Sequence, residues 1–305
     1  MVRDIYQDFD TFSRALVGSK DVDPVYIIIP KIVDYYGFDP IWFTFCYTSF
    51  YSLESGIKLC QEMPDHTKWN KKRFIELRNT ELKKFGTERR GTNRAADNMV
   101  NAFNGVINCI ENELFDWSSN STFRKSLMKN VPFQGVWASF KNAEIFEKAF
   151  GFDVVGVTDL GINGKDPKSD DGPLATLNNL FGLEEENRSE FWYPTFEKLG
   201  VKLAKKWGMN IGEVETCFCK FNKIRNGKYF IGHDIQEFLE LKHVLGGNFY
   251  TKMMSTSFDD IFWKDVDHFE KHKKAHFKST GEFLYENYKE YYPEVDVQKT
   301  ILEIL

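Results

Sequence analysis

The sequence has 305 residues, of which 42% are hydrophobic and 28% are charged, and its formal net charge at pH 7 is −5. This is the composition of an ordinary globular protein, and the length allows one large domain or two small ones. The negative net charge excludes a basic field over the whole protein, so any contact with DNA has to come from a local basic patch.

Helical periodicity dominates the chain. The first clear helix begins at Asp39-Pro40, with Asp as N-cap and Pro at the first helical position, and we expect it to continue through Tyr51 to about Cys60. Strand signals are few, and Phe152 to Val157 is the one short candidate for a strand or an extended loop. Further helices are predicted over 136–149, 189–207, 213–224, 234–244 and 257–272.

The stretch from Gly161 to Gly172 reads GINGKDPKSDDG, which predicts a loop. We interpret the region near 158–173 as a functional loop on a helical scaffold, because the helices on both sides are similar in character and no linker composition separates two halves. The predicted fold is therefore all-α, with at most a few short strands, in a single helical domain over 1–305. Its C-terminal part, 246–305, is expected to be helical and acidic.

We expect no secretory signal, because the first residues contain no apolar h-region and no small-residue cleavage site, and no apolar run approaches the roughly 20 residues of a membrane helix. Its five cysteines are scattered, which fits reduced thiols. These features predict a cytoplasmic protein without a membrane partner. The oligomeric state is left open, and no metal or cofactor is expected.

Basic residues concentrate in two segments of this acidic chain. Between His66 and Arg94 there are ten Lys or Arg residues against three Glu, and between Lys202 and Lys228 there are seven against two Glu. Arg89, Arg90 and Arg94 cluster where the pattern predicts the start of a helix, and such a cluster suits DNA phosphates or a pyrophosphate. The alternative is an Arg-rich surface turn without a ligand.

A second set of residues could form a base pocket. On one continuous helix, Tyr47, Tyr51 and Glu54 share a face that mixes aromatic rings with a carboxylate, which suits stacking on a base and reading its edge. His233 and Asp234 follow a short loop and could approach the same pocket. Amphipathic packing without a ligand is the alternative.

Two acidic residues are candidates for the essential carboxylate. Asp159 ends an apolar run, where a carboxylate could be held near a cleft to activate water or stabilise an oxocarbenium-like sugar. Glu215 and Lys223 fall on one stripe of a predicted helix and could act in acid–base catalysis or in stabilising charge. The structural alternatives are a turn cap for Asp159 and an ion pair for Glu215 and Lys223.

With these residues in view, the chain resembles the second clade of the α-glutamyl/putrescinyl thymine pyrophosphorylases, a helical family related to DNA glycosylases and found in phage DNA base hypermodification. The likeness spans about residues 20 to 245, and Asn222 departs from it because an acidic residue is expected there. The segments that carry it are Asp23-Pro24-Val25-Tyr26, Tyr47 through Glu54, Arg89-Arg90-Gly91 with Arg94, the region of Asp159 with Ser169 and Gly172-Pro173, Val214-Glu215 with Cys219, Phe221 and Lys223, and Gly232-His233-Asp234.

The resemblance implies DNA carrying modified bases as the partner, and it implies two reactions. The favoured one is a DNA glycosylase that flips a modified pyrimidine and hydrolyses its N-glycosidic bond, as an anti-phage defence would require. The alternative is an amino acid or polyamine:DNA transferase, in which an amine displaces pyrophosphate from 5-pyrophosphorylmethyl uracil. A non-catalytic reader of modified DNA is the third possibility.

Overall fold

The computed structural model describes residues 9, 13, 25–82, 95–152, 201–206, 208–209, 211–225, 238 and 241–258. All regular structure in these residues is helical, which confirms the all-α prediction. The predicted loop near 158–173 and the strand candidate after Phe152 lie outside the described residues. No helix in the described part of the chain combines the length and the apolar character needed to cross a bilayer.

The helices are numbered here in chain order. In the described residues the α-helices are α1 (Val25–Tyr36), α2 (Pro40–Phe50), α3 (Leu53–Glu62), α4 (Lys71–Thr80), α5 (Ala96–Glu111), α6 (Asn120–Asn130), α7 (Val136–Phe150), α8 (Ile211–Arg225) and α9 (Gly247–Ser257). A 3₁₀ turn, His66–Lys68, lies between α3 and α4.

The chain divides into two compact units. One unit comprises Val25–Val157 and Glu237–Met253, and the other comprises Met1–Pro24, Thr158–Gln236 and Met254–Leu305. The single domain over 1–305 stays a prediction. In the first unit, α7 packs against α1, α2 and α6, and α2 also packs against α3. Helix α7 therefore contacts three other helices of this unit.

The start of α2 follows the local sequence, whereas its end does not follow the prediction. Asp39 caps the helix as expected, because its Oδ1 accepts a hydrogen bond from the Trp42 backbone N–H at 2.7 Å. The predicted continuation to Cys60 is wrong, since α2 ends at Phe50 and Tyr51 adopts a left-handed conformation with φ 50°. Ser52 then caps α3, accepting a hydrogen bond from the Ser55 N–H at 3.3 Å. This local capping replaces the helical hydrogen bonds that a continuous helix would need.

The core of the first unit is rich in aromatic rings, as the 29 phenylalanines indicate. Trp42 is fully buried, and its indole N–H donates to the Met63 carbonyl at 2.7 Å. Its ring lies 5.4 Å from that of Phe103, at van der Waals packing distance. Other fully buried rings of this unit include Phe43, Phe45, Phe50, Phe74, Phe123, Phe140 and Phe146.

The second unit is described mainly through α8, which confirms the helix predicted over 213–224. Its buried side includes Val214, Cys217 and Phe218. The Phe9 ring packs 4.8 Å from the ring of Phe218 and 5.1 Å from that of Phe221. These contacts tie residues near the start of the chain to α8.

Candidate active site

Helix α7 carries an unusual set of buried polar side chains. Ser139, Lys141, Asn142 and Glu144 all lie in its middle turns and are each at most 7% exposed. Burying a polar group costs free energy unless it is hydrogen-bonded, and burying a charge costs more. Such groups persist where they have partners, and they concentrate at functional sites.

A cluster of charged groups forms between α7 and α1. The carboxylate of Glu144 accepts hydrogen bonds from Lys141 Nζ at 2.7 Å, from Lys148 Nζ at 2.8 Å and from the Tyr26 hydroxyl at 2.9 Å. Lys141 Nζ also donates to the Tyr26 hydroxyl at 3.2 Å. The three charged residues are spaced three and four positions apart, so one helical face brings them together. We call Tyr26, Lys141, Glu144 and Lys148 the charge cluster.

The electrostatics of the charge cluster define the role of Glu144. Burial alone would raise the pKa of the Glu144 carboxyl, but the ammonium groups of Lys141 and Lys148 lower it to about 2. A carboxylate with so low a pKa is a poor proton acceptor near neutral pH, so Glu144 holds the two lysines in place rather than acting as a general base. Both ammonium groups also lie over the Tyr26 ring, at 5.7 Å for Lys141 and 5.3 Å for Lys148.

The neighbouring carboxyl of Glu147 differs from Glu144. It is half-buried, and burial raises its pKa, although the nearby Lys148 opposes this. A raised pKa makes a carboxylate a better proton acceptor, so Glu147 is suited to acid–base chemistry beside the charge cluster.

The opposite side of α7 is also polar. The Thr48 hydroxyl of α2 donates to Asn142 Oδ1 at 3.0 Å, and Asn142 Nδ2 donates to the Ala138 carbonyl at 2.8 Å. On α6, the fully buried Arg124 donates from Nε to the Ser139 hydroxyl at 3.4 Å. Polar contacts therefore join α7 to α1, α2 and α6, and this network fixes the position of the charge cluster.

The structure brings two of the predicted base-pocket residues together. The rings of Tyr47 and Tyr51 are stacked, with centroids 5.2 Å apart and planes inclined by 29°. Tyr47 is only 1% exposed, whereas Tyr51 is half-buried. Of the two, Tyr51 is therefore the ring that a base could reach without rearrangement of the core.

The predicted shared helical face of Tyr47, Tyr51 and Glu54 is wrong, because the chain turns at Tyr51 and Ser52 between α2 and α3. Glu54 lies in the first turn of α3, and its carboxylate pairs with Lys58 Nζ at 2.9 Å. This is an ordinary ion pair at a spacing of four residues. A role for Glu54 in a base pocket stays a prediction.

The remaining predicted site residues are only partly described. Glu215 and Lys223 both lie on α8, and Glu215 is half-buried. Outside the described residues lie Asp159, His233, Asp234, Arg89, Arg90 and Arg94, so their predicted roles stay predictions. Within the described part of the chain, no three His, Cys, Asp or Glu side chains converge as metal ligands would.

The charge cluster was not predicted from the sequence. The sequence feature that could have indicated it is the spacing of Lys141, Glu144 and Lys148 by three and four positions, within a segment that was correctly predicted to be a helix. That spacing also occurs on solvated helix faces, where such pairs contribute little. Tyr26, by contrast, belongs to a segment that carried the family resemblance.

Comparison with known proteins identifies the family. The family model described as amino acid:DNA transferase matches residues 17–229. No curated protein and no solved structure matches the chain. The match confirms the resemblance to the thymine pyrophosphorylase-type family. The predicted DNA glycosylase activity, with hydrolysis of the N-glycosidic bond, is wrong, because the matched family is one of amino acid:DNA transferases. The charge cluster and the Tyr47–Tyr51 stack lie within the matched residues, and the chain belongs to the amino acid:DNA transferase family.

Proposed function

We propose that this protein joins an amino acid to a modified pyrimidine in DNA. The observation that carries the proposal is the family match over residues 17–229, which includes the whole charge cluster. The proposed acceptor is 5-pyrophosphorylmethyl uracil within a DNA strand. The proposed donor is the free amino acid, with its α-amino group as the nucleophile.

The proposed reaction is a displacement at the methylene carbon attached to the uracil ring. A bond forms between the amino nitrogen and this carbon while the bond from the carbon to the pyrophosphate oxygen breaks. The bonding electrons leave with pyrophosphate, and the nitrogen loses a proton to a base. Such a step needs stabilisation of the departing anion and a group to take the proton.

The charge cluster fits the first requirement. Its two ammonium groups share a single carboxylate, so the four named side chains together are positively charged. A positive site of low dielectric favours anions such as a departing pyrophosphate or the carboxylate of an amino acid. Lys148 is the more exposed of the two lysines, with 14% of its side chain accessible, and we assign it the contact with the anion.

Glu147 fits the second requirement among the described residues, since burial raises its pKa. Asp159 and Glu215 are the other proposed proton acceptors, on the grounds given by the sequence. Tyr51, stacked on Tyr47, is proposed to contact the pyrimidine ring. Arg89, Arg90 and Arg94 are proposed to hold phosphates.

The test supplies a synthetic oligonucleotide containing 5-pyrophosphorylmethyl uracil together with isotopically labelled mixtures of amino acids and of polyamines. Nucleosides are then identified by mass spectrometry, and released pyrophosphate is quantified. We expect a labelled nucleoside adduct and one pyrophosphate for each adduct. Pyrophosphate release without incorporation of an amine, incorporation of polyamines alone, or binding without any product would contradict the proposal.

Two matched variants connect the reaction to the charge cluster. Lys148→Met removes an ammonium group that contacts Glu144. The control, Lys129→Met, removes an exposed ammonium group in the last turn of α6. We expect the first to lower the rate of adduct formation by about 100-fold, the size of effect typical for one electrostatic contact to a transition state. The second is expected to react at the wild-type rate.

A further inference from the structure

A side-chain hydrogen bond joins the last turn of α2 to the second turn of α7. The Thr48 hydroxyl donates to Asn142 Oδ1 at 3.0 Å, and the same hydroxyl lies 2.9 Å from the Thr44 carbonyl of its own helix. Thr48 is 8% exposed and Asn142 is fully buried. Both partners are shielded from water, so the bond holds the end of α2 at one position along α7.

The Asn142 side chain is itself fixed through its amide nitrogen. Nδ2 donates to the Ala138 carbonyl at 2.8 Å and to the Gln134 side-chain oxygen at 3.3 Å. Ala138 belongs to α7, and Gln134 lies just before that helix. With its oxygen on Thr48 and its nitrogen on two acceptors, the amide is held in one orientation and gives α2 a fixed point of attachment.

This point of attachment lies one turn before Tyr51, the residue proposed to contact the pyrimidine. The Tyr51 backbone N–H donates to the Tyr47 carbonyl, and the two rings stack at 5.2 Å. Helix α3 packs closely against the same turn, because a Cβ atom on Gly56 would lie 3.2 Å from Tyr47 Cα. Tyr51 is thus tied to the last turn of α2, and a shift of that turn relative to α7 would move the Tyr51 ring.

The proposed anion contact lies further along α7. Lys148 is six positions after Asn142, which corresponds to about 9 Å along a helix axis. In the proposed substrate, a single methylene group joins the pyrimidine ring to the pyrophosphate. A site that holds both parts of this substrate therefore needs two contacts at a fixed separation, one on α2 and one on α7.

We propose that Thr48 and Asn142 are positioning residues of the transfer reaction. Their hydrogen bond sets the separation between the Tyr51 ring and the Lys148 ammonium group, and each acts through the helix to which it belongs. The inference rests on the proposed function, which supplies the roles of Tyr51 and Lys148. A displacement of about 1 Å within a reacting site can cost about 100-fold in rate, so one buried hydrogen bond between the two helices matters for transfer.

The test measures equilibrium binding of three ligands to the full-length protein without an amino acid. An oligonucleotide with 5-pyrophosphorylmethyl uracil engages both contacts, the same oligonucleotide with thymine engages the ring contact alone, and inorganic pyrophosphate engages the anion contact alone. Thr48→Val removes the hydroxyl and keeps the shape of the side chain. We expect it to weaken binding of the activated oligonucleotide about tenfold, because the two contacts no longer match one ligand, and to leave the other two affinities unchanged.

Thr44→Val is the matched control. Thr44 is a fully buried threonine of the same helix, and its hydroxyl donates to the Pro40 carbonyl rather than to α7. Both variants lose a buried hydroxyl, so a general loss of stability should appear in both on thermal unfolding, but Thr44→Val should bind all three ligands as the wild type does. Wild-type binding of the activated oligonucleotide by Thr48→Val, or equal losses for all three ligands, would overturn the inference.

A second measurement is independent of the substrate. In protein labelled with fluorotyrosine, the fluorine NMR resonance of Tyr51 is identified by its absence in Tyr51→Phe. Asn142→Leu changes a residue of α7 and leaves the Thr48 hydroxyl its partner in the Thr44 carbonyl. This variant should shift the Tyr51 resonance, and an unshifted resonance would also overturn the inference. A wild-type protein that forms no adduct would instead overturn the proposed function, and the resonance would still decide whether Asn142 orients Tyr51.

Discussion

The Glu144 carboxylate of α7 accepts a hydrogen bond from the Tyr26 hydroxyl of α1 at 2.9 Å, across 118 positions of the chain. Both residues are buried, so the bond forms away from water. Tyr26 also accepts a hydrogen bond from Lys141, which places the phenol between the anion and a cation. The contact therefore fixes both the approach of α1 to α7 and the geometry of the two lysines.

Glu144→Gln should destabilise the protein substantially. The substitution removes the carboxylate while leaving two ammonium groups at the site, and breaking a buried ion pair in this way costs about 3–5 kcal/mol. Urea unfolding measures the change in the free energy of unfolding. Glu54→Gln is the matched control, because its carboxylate pairs with Lys58 at the same spacing on a more accessible helix face. We expect the control to lose less than about 1 kcal/mol, and equal losses in the two variants would contradict the special role of the charge cluster.

The low pKa of Glu144 predicts a specific dependence of stability on pH. The lysines lower this pKa from 4.5 to about 2, so the folded state prefers the ionised carboxylate. The resulting stabilisation is fully present above pH 4.5 and is lost as the pH falls towards 2. We expect the difference in unfolding free energy between wild type and Glu144→Gln to shrink over this interval. If this difference stays constant from neutral pH down to the acid limit of the titration, the lysines do not lower the pKa of Glu144.

Gly105 of α5 should not tolerate a side chain. A Cβ atom there would lie 2.8 Å from Pro132 Cδ and 3.1 Å from the Asn130 carbonyl oxygen. Gly105→Ala should therefore destabilise the protein by about 1–3 kcal/mol through overpacking, despite the higher helix propensity of alanine. Thermal unfolding measures the loss. Gly247→Ala, which meets no neighbouring atom, should lose nothing, and a loss in both variants would point to backbone conformation instead.

The two stacked tyrosines should respond differently to truncation. Tyr47→Ala empties a site that is only 1% exposed, and we expect it to destabilise the fold by about 3–5 kcal/mol, as for other large aromatic residues. Tyr51→Ala removes a half-buried ring, so most of its effect should appear in the transfer assay as a higher KM for the oligonucleotide. If Tyr51→Ala reacts with wild-type kinetics, Tyr51 does not contact the base.

The arginines at 89, 90 and 94 are predicted to bind phosphates. Replacing Arg89, Arg90 and Arg94 together by Ala should reduce the slope of log affinity against log salt by about 0.9 for each phosphate that the arginines neutralise on a duplex. Fluorescence anisotropy with a double-stranded oligonucleotide at several salt concentrations measures this slope. An unchanged slope would show that the arginines do not touch DNA phosphate.

The residue types alone did not separate the two reactions that the family resemblance implied. Both glycosidic hydrolysis and amine transfer call for a phosphate-binding groove, a base pocket and a carboxylate. The sequence interpretation favoured hydrolysis because water needs no amine pocket. The match to the amino acid:DNA transferases over residues 17–229 favours amine transfer over hydrolysis, because it compares the sequence pattern of the whole region rather than single residue types.

The sequence by itself determined the helical character of the fold and the cap at Asp39, because helix starts and periodic burial depend on residues a few positions apart. It did not predict the break at Tyr51, where the Ser52 cap replaces a continuous helical pattern. Only the tertiary structure showed that Lys141, Glu144 and Lys148 are buried around Tyr26 rather than solvated, and that Tyr35 stacks on Phe249. Those contacts join residues more than a hundred positions apart, and the packing of α7 on α1 and the approach of α9 to Tyr35 create them.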